Sequence, residues 1–542
     1  MNLIRPTLCG KIFIVLVIII TVAACIFYVH ILKLQVVKHK TKVTASPQRL
    51  DNFFVTKRLN FQGDVIVHLD LKGAPPKISY YKELFPLLTK MGATGLLLEY
   101  EDMFPFTGDI LENVTALNAY SLTDIKEINH YAKQNNLTVI PLVQTFGHLE
   151  FILKLEQFKE LREVETYPQA ICPSHQNTQK LLMDMIQQVI EAHPDSNIIH
   201  IGSDEVYYLG LCDKCLNVMA REHLSKNMLF TKHVRAIAEF IKKKYPKHRI
   251  LMWDDEFRGF TQEELLSSGL HKIVEPVVWK YTKDVMDELG PSLWNLYSSA
   301  FPSVWAASAF KGATGSSQYV VDVPHYLENH RSWMDVISNY KDNIKFTGII
   351  ITGWQRYDHF AILCELLPVG LPSLAMSMRI IQGHTDSPLT PPVAVAELLQ
   401  CEQPYGLMGL AFGTPHCTFP GGNVLENVLR LQQVKQDLDG ILSMSESVGW
   451  LTEYNIRHSF SSPRYVETVM GLLSKVRSDF EMLDSDLTAA LQEVYDNYTV
   501  VEWRETVVKP FEEKVNAIWK ARQALLGKDH WPRRPLTAKE EL

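Results

Sequence analysis

Short apolar runs alternate with amphipathic stretches along most of this chain. The runs open at Asp64 (DVIVHLDL), Thr94 (TGLLLEY), Leu137 (LTVIPLVQTFGH), Asn197 (NIIHIGSDE), Arg249 (RILMWDDE), Lys272 (KIVEPVVWK), Leu293 (LWNLYSSAF) and Thr347 (TGIIITGW). Each is nearly continuous in apolar residues, as expected of strands buried on both faces of a parallel sheet. Between them the apolar spacing changes to three and four, as in 178–192 and 227–245, which predicts helices. Alternating strands and helices of this number predict an α/β fold, a (β/α)8 TIM barrel with insertions. A doubly wound open sheet is the other arrangement of such units, but no glycine-rich phosphate loop follows the first run.

The pattern differs at both ends. From Ile12 to Val29 the chain reads IFIVLVIIITVAACIFYV, and apolar residues continue to Leu32. That length crosses about 30 Å of hydrocarbon as a helix and exceeds the apolar core of a cleaved signal, so it predicts a transmembrane signal-anchor. A long cleaved signal is the other reading. Beyond residue 423 strands disappear, and long stretches such as VLENVLRLQQVKQDLDGILSMSE predict helices. The organisation expected is a short tail (1–11), the anchor (12–32), a Lys-rich stem (33–60), a catalytic barrel (61–400) and a mainly helical region (401–542).

Composition adds constraints. With 46% hydrophobic and 21% charged residues the chain can bury a large core. A net charge of −7 gives no electrostatic footprint for nucleic acid. Lysines flank the apolar run on its C-terminal side, and the sequons at Asn113, Asn136 and Asn497 all follow it. The lysines do not favour a cytosolic N-terminus, but the sequons and the large C-terminal body predict a single-pass type II protein, its body lumenal, in the Golgi or secretory pathway, or extracellular. Cys212-x-x-Cys215 is by itself a weak zinc signal, because no matching pair accompanies it. A local staple or two thiols explains it more simply, and no metal is expected.

The chemistry gathers at the C-terminal ends of the predicted strands, where a parallel barrel builds its site. That rim carries Asp70, Lys72, Glu99, His148, Asp204, Glu205, Trp253, Asp255, Trp279, Tyr297 and Trp354. Carboxylates at strand ends commonly cap helices, and tryptophans commonly pack. Their convergence on one rim points instead to a sugar site, with flat apolar faces for the pyranose and carboxylates for hydroxyls and acid catalysis. Asp204 and Glu205 are adjacent, and neighbours in extended chain point apart. Such a pair serves poorly as acid and nucleophile across one bond. It suits an acid (Glu205) beside a carboxylate (Asp204) that holds a group of the substrate itself.

The residues HIGSDE at 200–205 resemble the His-x-Gly-x-Asp-Glu signature of the β-N-acetylhexosaminidases of glycoside hydrolase family 20. QTFGH at 144–148, MWDDE at 252–256 and TGWQ at 352–355 are similar to other strand ends of that family, and VHLDLKGAPP and SAFKGATG resemble its hexosaminidase D branch. The resemblance implies exo-hydrolysis of terminal β-linked GlcNAc or GalNAc by a retaining, substrate-assisted route without a cofactor. It implies Asp204 as the residue orienting the acetamido group and Glu205 as acid, then base. His148 would support them, Trp253, Trp279 and Trp354 would wall the sugar, Tyr297 would touch the acetamido oxygen, and Asp70 would meet hydroxyls. Asp204 is expected to push the Glu205 pKa upward, giving a bell-shaped pH profile on the acid side of neutrality. Three departures from the family stand out: the barrel is expected to start near Asp64, straight after the stem, where larger members place an α/β domain; Asp70 and Lys72 stand where many members have an arginine at the first strand end; and the N-terminal run is apolar. Two other readings remain: a catalytically silent sugar-binding barrel on a membrane anchor, and a glycosidase with a distant nucleophile such as Asp255 or Asp358.

Overall fold

The structure is a computed structural model describing residues 60–384, 392–402, 404–408 and 413–536. The apolar run at 12–32 lies outside the described residues. Among those described, no helix is long and apolar enough to cross a membrane.

Eight parallel strands close into a barrel. They are β1 (Asp64–Asp70), β2 (Gly95–Glu99), β3 (Thr138–Leu142), β6 (Ile198–His200), β7 (Arg249–Trp253), β8 (Glu275–Trp279), β9 (Val304–Lys311) and β10 (Phe346–Gly353). A small antiparallel hairpin, β4 (Arg162–Val164) and β5 (Tyr167–Ile171), is inserted between β3 and β6. The ring closes where β1 pairs with β10, Asp64 opposite Gly348 and Val67 opposite Ile351, which excludes the open sheet.

The barrel strands have two apolar sides, as their continuous runs imply. Inside, Ile66, Leu97, Ile140, Leu251, Val277, Trp305 and Ile350 form a separate core, with Trp253 at its top and Trp279 and Trp354 packed on it. Gly348 is required there: a Cβ would lie 2.1 Å from the Trp305 ring. Outside, strand residues such as Val67, Leu98 and Ile199 join the helices in a larger core. The helix Thr178–Ala192 forms where the spacing predicts it, and Lys226–Lys244 within a residue of prediction.

One strand assignment is corrected. LWNLYSSAF is not the seventh strand but most of a helix, Pro291–Ala300, with proline in its first turn and Trp294, Tyr297 and Ala300 buried at a spacing of three. The seventh barrel strand is β9, VWAASAFK, every residue of which is buried. Its alanines and serine give a weak hydropathy signal, so the bulkier helix was the more conspicuous run.

The C-terminal helices Gly422–Ser443, Pro463–Val494, Asn497–Trp503 and Lys509–Leu526 match the predicted helical region. They join the barrel through polar contacts as well as packing. The Lys77 amide donates to the Val494 carbonyl at 2.7 Å, and the Leu367 amide to the Tyr495 hydroxyl at 3.1 Å.

Candidate active site

A cavity of about 190 Å³ opens at the C-terminal ends of the strands. It is small beside the roughly 300–1,000 Å³ of ordinary ligand clefts, a pocket for one ring rather than a groove for a chain. Among its lining residues are Glu99, His148, Asp204, Glu205, Trp253, Trp279, Tyr281 and Trp354.

The segment after β6 explains the HIGSDE pattern residue by residue. His200 is wholly buried under the Trp253 ring, centroids 4.4 Å apart, and its Nδ1 accepts the Gly202 amide at 3.0 Å. Burial lowers its pKa to about 3, so it is a neutral structural ring. Gly202 takes a φ of 61°, and a Cβ there would fall 1.8 Å from Gln144 Oε1. Ser203 and Glu205 also have positive φ, 68° and 46°, so the chain turns abruptly instead of extending. The neighbouring carboxylates therefore do not point apart. His148 Nε2 lies 3.1 Å from Glu205 Oε2 and 3.5 Å from Asp204 Oδ2.

Two acidic residues after β7 hold this turn. Asp255 Oδ2 accepts the Glu205 amide at 2.8 Å, and Glu256 Oε1 accepts the Val206 amide at 2.9 Å. Asp255 Oδ1 accepts Trp279 Nε1 at 3.0 Å, so one side chain aligns both the acid's backbone and a pocket wall. Asp254 binds Arg258, whose guanidinium lies over the Trp279 ring. From the hairpin, Gln169 Nε2 donates to the Glu205 carbonyl at 2.7 Å. Gly147 gives the closest approach: a Cβ there would meet the Asp204 carbonyl oxygen at 2.1 Å.

The electrostatics differ from the sequence expectation. Burial pushes the Asp204 carboxyl up to about 7, with His148 opposing and Asp255 and Glu99 adding to it. Glu205 moves the other way: its hydrogen bond with His148 holds it below the usual carboxylate range. Burial alone would lower His148, but Asp204, Glu205 and Glu150 outweigh it and raise its pKa to about 10. A neighbouring carboxylate does raise a pKa, but here burial raises Asp204 while the hydrogen bond from His148 holds Glu205 down. Asp204 Oδ1 is buried with no hydrogen-bond partner, an acceptor that awaits a donor.

The walls and floor are aromatic and charged. Trp279 stacks on Tyr281 with centroids 5.4 Å apart, and Trp354 stands near both Tyr281 and Trp253. On the floor Glu99 bridges His68 Nε2 at 3.1 Å and Gln144 Nε2 at 3.3 Å. Lys72 pairs with Asp70 at 3.0 Å and approaches Glu99 at 3.7 Å. Arg356 lines the rim, paired with Glu502 of the C-terminal helices, Nη2 to Oε2 2.6 Å.

Six of the expected site residues thus meet in the cavity: Asp204, Glu205, His148, Trp253, Trp279 and Trp354. Two do not line it. Asp70 lies behind Lys72, accepting the Gln355 amide at 2.7 Å. Tyr297 is wholly buried on its helix, its hydroxyl donating to Asp254 Oδ2 at 2.8 Å. Tyr281 and Tyr357 are the tyrosines that line the pocket, and Tyr281 stands two residues beyond Trp279, stacked on its ring. Tyr207, which helps hold the Glu205 pKa down after His148, was also missed, and only its place just past the pair marked it.

Residues 78–289 match the catalytic domain of glycosyl hydrolase family 20. The chain is 41% identical to Hexosaminidase D of Homo sapiens over 462 residues, 84% of this chain and 93% of that protein. It is 47% identical to Hexosaminidase D of Bos taurus over 319 residues, 58% of this chain and 91% of that one. Among solved structures, Flavobacterium johnsoniae chitobiase aligns with a TM-score of 0.48 at 13% identity, covering 86% of this chain and 78% of that one. The β-N-acetylhexosaminidase of Bacteroides fragilis aligns with a TM-score of 0.44 at 16% identity, covering 58% of this chain and 66% of that one.

Proposed function

The chain belongs to glycoside hydrolase family 20, and from that premise we infer that it is an exo-β-N-acetylhexosaminidase. It removes terminal non-reducing β-linked GlcNAc or GalNAc from glycoconjugates with retention of configuration. One observation carries the substrate-assisted route: the buried, partnerless Asp204 Oδ1 beside an acid that shares a hydrogen bond with His148. An acetamido N–H is a donor of the right kind for that oxygen. The other nearby carboxylates are engaged, Glu99 by His68 and Gln144 and Asp255 by the Glu205 amide and Trp279. Asp358 accepts two amides of its own turn. Neither Asp255 nor Asp358 lines the cavity, which weighs against the distant-nucleophile reading.

The steps follow from this arrangement. The acetamido oxygen attacks the anomeric carbon as the glycosidic C–O bond breaks, and Glu205 gives its proton to the leaving oxygen. Asp204 accepts the acetamido N–H and stabilises the positive charge that develops on the oxazolinium ring. Glu205 then takes a proton from water, which opens the ring at the same carbon and restores the acid. His148 keeps that proton within reach at 3.1 Å. Tyr281 takes the contact with the acetamido oxygen that the sequence assigned to Tyr297, while Trp253, Trp279 and Trp354 enclose the methyl group and the ring. Lys72, Glu99 and Arg356 face the sugar hydroxyls, with Asp70 acting through Lys72.

Replacing the acetamido methyl with fluorinated methyls tests this route. Successive fluorines weaken the acetamido oxygen as a nucleophile, so turnover should fall steeply with each one. A flat series would remove the substrate from the nucleophile's role.

The reading extends to the whole chain. Residues 61–400 form the catalytic unit, and 401–542 complete its rim through Glu502. Residues 12–32 anchor the protein as a single-pass type II protein with its body in the secretory lumen or outside the cell. The exposed sequons at Asn113, Asn136 and Asn497 and the Cys401–Cys417 disulfide support an oxidising, glycosylating compartment. A gel shift on enzymatic removal of N-glycans, lost when the three asparagines become glutamine, tests that topology.

A further inference from the structure

Outside the pocket, four ligand-type side chains converge. Glu163 lies on β4, Cys172 directly follows β5, and Cys212 and Cys215 sit at the start of the helix Asp213–Glu222. Cys172 Sγ is 3.3 Å from Cys212 Sγ and 3.6 Å from Cys215 Sγ. Glu163 Oε2 is 3.2 Å and 3.1 Å from the same two sulfurs. All four ligand atoms lie within 4.8 Å of one another. None of these cysteines forms a disulfide, and Glu163, Cys172 and Cys215 are buried.

The carboxylate is aimed. Glu163 Oε1 accepts the Leu211 and Cys212 amides at 2.7 and 3.1 Å, which turns Oε2 toward the sulfurs. That oxygen faces only weak S–H donors, and a cation among the four atoms would compensate it better. The Cys215 amide points at Cys212 Sγ at 3.3 Å, and both residues stand at the positive end of a helix. Tetrahedral zinc, with Zn–S near 2.3 Å and Zn–O near 2.0–2.2 Å, spaces its ligand atoms about 3.5–3.8 Å apart. The observed separations need to widen by only a few tenths of an ångström. Three thiolates and one carboxylate suit zinc and are too soft for magnesium or calcium.

We propose that Glu163, Cys172, Cys212 and Cys215 bind one structural zinc ion, which clamps the β4–β5 hairpin to the segment that follows the carboxylate pair. The clamp spans the chain on both sides of Asp204 and Glu205. Gln169 of β5 holds the Glu205 carbonyl, and Tyr167 of β5 stacks on Tyr208 with centroids 5.1 Å apart. Full occupation by protein ligands leaves no open position for substrate, so the ion is a staple rather than a catalyst. The site stands on these residues whether or not the pocket hydrolyses acetamido sugars. It also gives three neighbouring thiols a reason to stay unpaired in a chain that carries a disulfide elsewhere.

The full-length chain, purified without chelator and equilibrated with a zinc salt, should retain one zinc per chain after dialysis, measured by elemental analysis. Cobalt(II) in its place should show thiolate-to-metal charge-transfer bands and the intense visible bands of a tetrahedral ion. Cys215→Ser should lose both signals, whereas Cys364→Ser, at a cysteine outside the cluster, should keep them. Retention of no zinc by the folded wild type would overturn the proposal. So would equal metal in Cys215→Ser, or a Cys172–Cys212 disulfide found by peptide mapping of the metal-free protein as isolated.

Discussion

Gly147 touches no substrate in this account, yet its replacement by alanine should nearly abolish turnover. A Cβ at 147 would lie 2.1 Å from the Asp204 carbonyl oxygen and 3.1 Å from that of Glu205. Both are backbone atoms, so no rotamer relieves the contact. Restoring even a 3.0 Å separation from the first needs a shift of at least 0.9 Å in β3's end or the 203–206 turn. That turn is fixed by Asp255, Glu256 and Gln169, and its geometry sets the 3.1 Å contact between His148 and Glu205. Displacement of reacting groups by about 1 Å costs on the order of 10²-fold in rate. Overpacking of this kind costs about 1–3 kcal/mol of stability, which a domain of this size tolerates. Gly147→Ala should therefore melt cooperatively, a few degrees early, with kcat on a chromogenic β-GlcNAc lowered about 10²-fold and KM changed far less. Gly259→Ala is the control, since nothing lies within 4 Å of its Cβ. A folded Gly147→Ala enzyme with wild-type kcat would refute the claim that this close approach positions the carboxylate pair.

Further outcomes follow from the same geometry. The acid limb of the kcat/KM profile should report Asp204, raised toward 7 by burial: activity falls as pH drops through that pKa and Asp204 is protonated. The alkaline limb should report the proton shared by His148 and Glu205, present below the His148 pKa of about 10 and lost above it. His148→Gln removes that store, so its alkaline limb should move toward acid by about a unit or more, and an unmoved limb would take His148 out of the proton's path. Tyr281→Phe should lower turnover of acetamido sugars with little change in melting temperature. Tyr297→Phe should do the reverse, costing about 1.5–3 kcal/mol for its buried bond to the Asp254 carboxylate while KM holds. Asp255→Asn should lower kcat without removing a reacting group, because its carboxylate aligns the Glu205 amide and Trp279; unchanged kinetics would show the alignment to be dispensable.

Much of this architecture was legible in the sequence because a parallel barrel has a strong signature. Strands buried on both faces read as continuous apolar runs, and polar residues at their ends fall on one rim. That logic located Asp204, Glu205, His148, Trp253, Trp279 and Trp354 without coordinates. It failed where burial and hydropathy part company. VWAASAFK is wholly buried but half made of alanine and serine, while LWNLYSSAF is bulkier and helical. Misplacing that strand put Tyr297 on the rim and hid Tyr281. Proton affinities were out of reach for another reason. Asp204 rises because the fold buries it, and Glu205 falls because of a His148 contact that spans 57 residues of sequence. The cysteine cluster has the same origin: Cys212-x-x-Cys215 was visible, but Cys172 and Glu163 join it only across 40 and 49 residues.

The most direct measurement of the central claim is turnover of chromogenic β-GlcNAc, β-GalNAc, β-galactoside and β-glucoside by the wild type and by Glu205→Gln. Turnover confined to the two acetamido sugars, and lost in a variant that melts like the wild type, is the expected result. Equal turnover of the plain glycosides, or wild-type rates from Glu205→Gln, would contradict a mechanism in which the acetamido group is the nucleophile and Glu205 the acid. A folded wild type that turned over none of the four would instead make this a sugar-binding barrel.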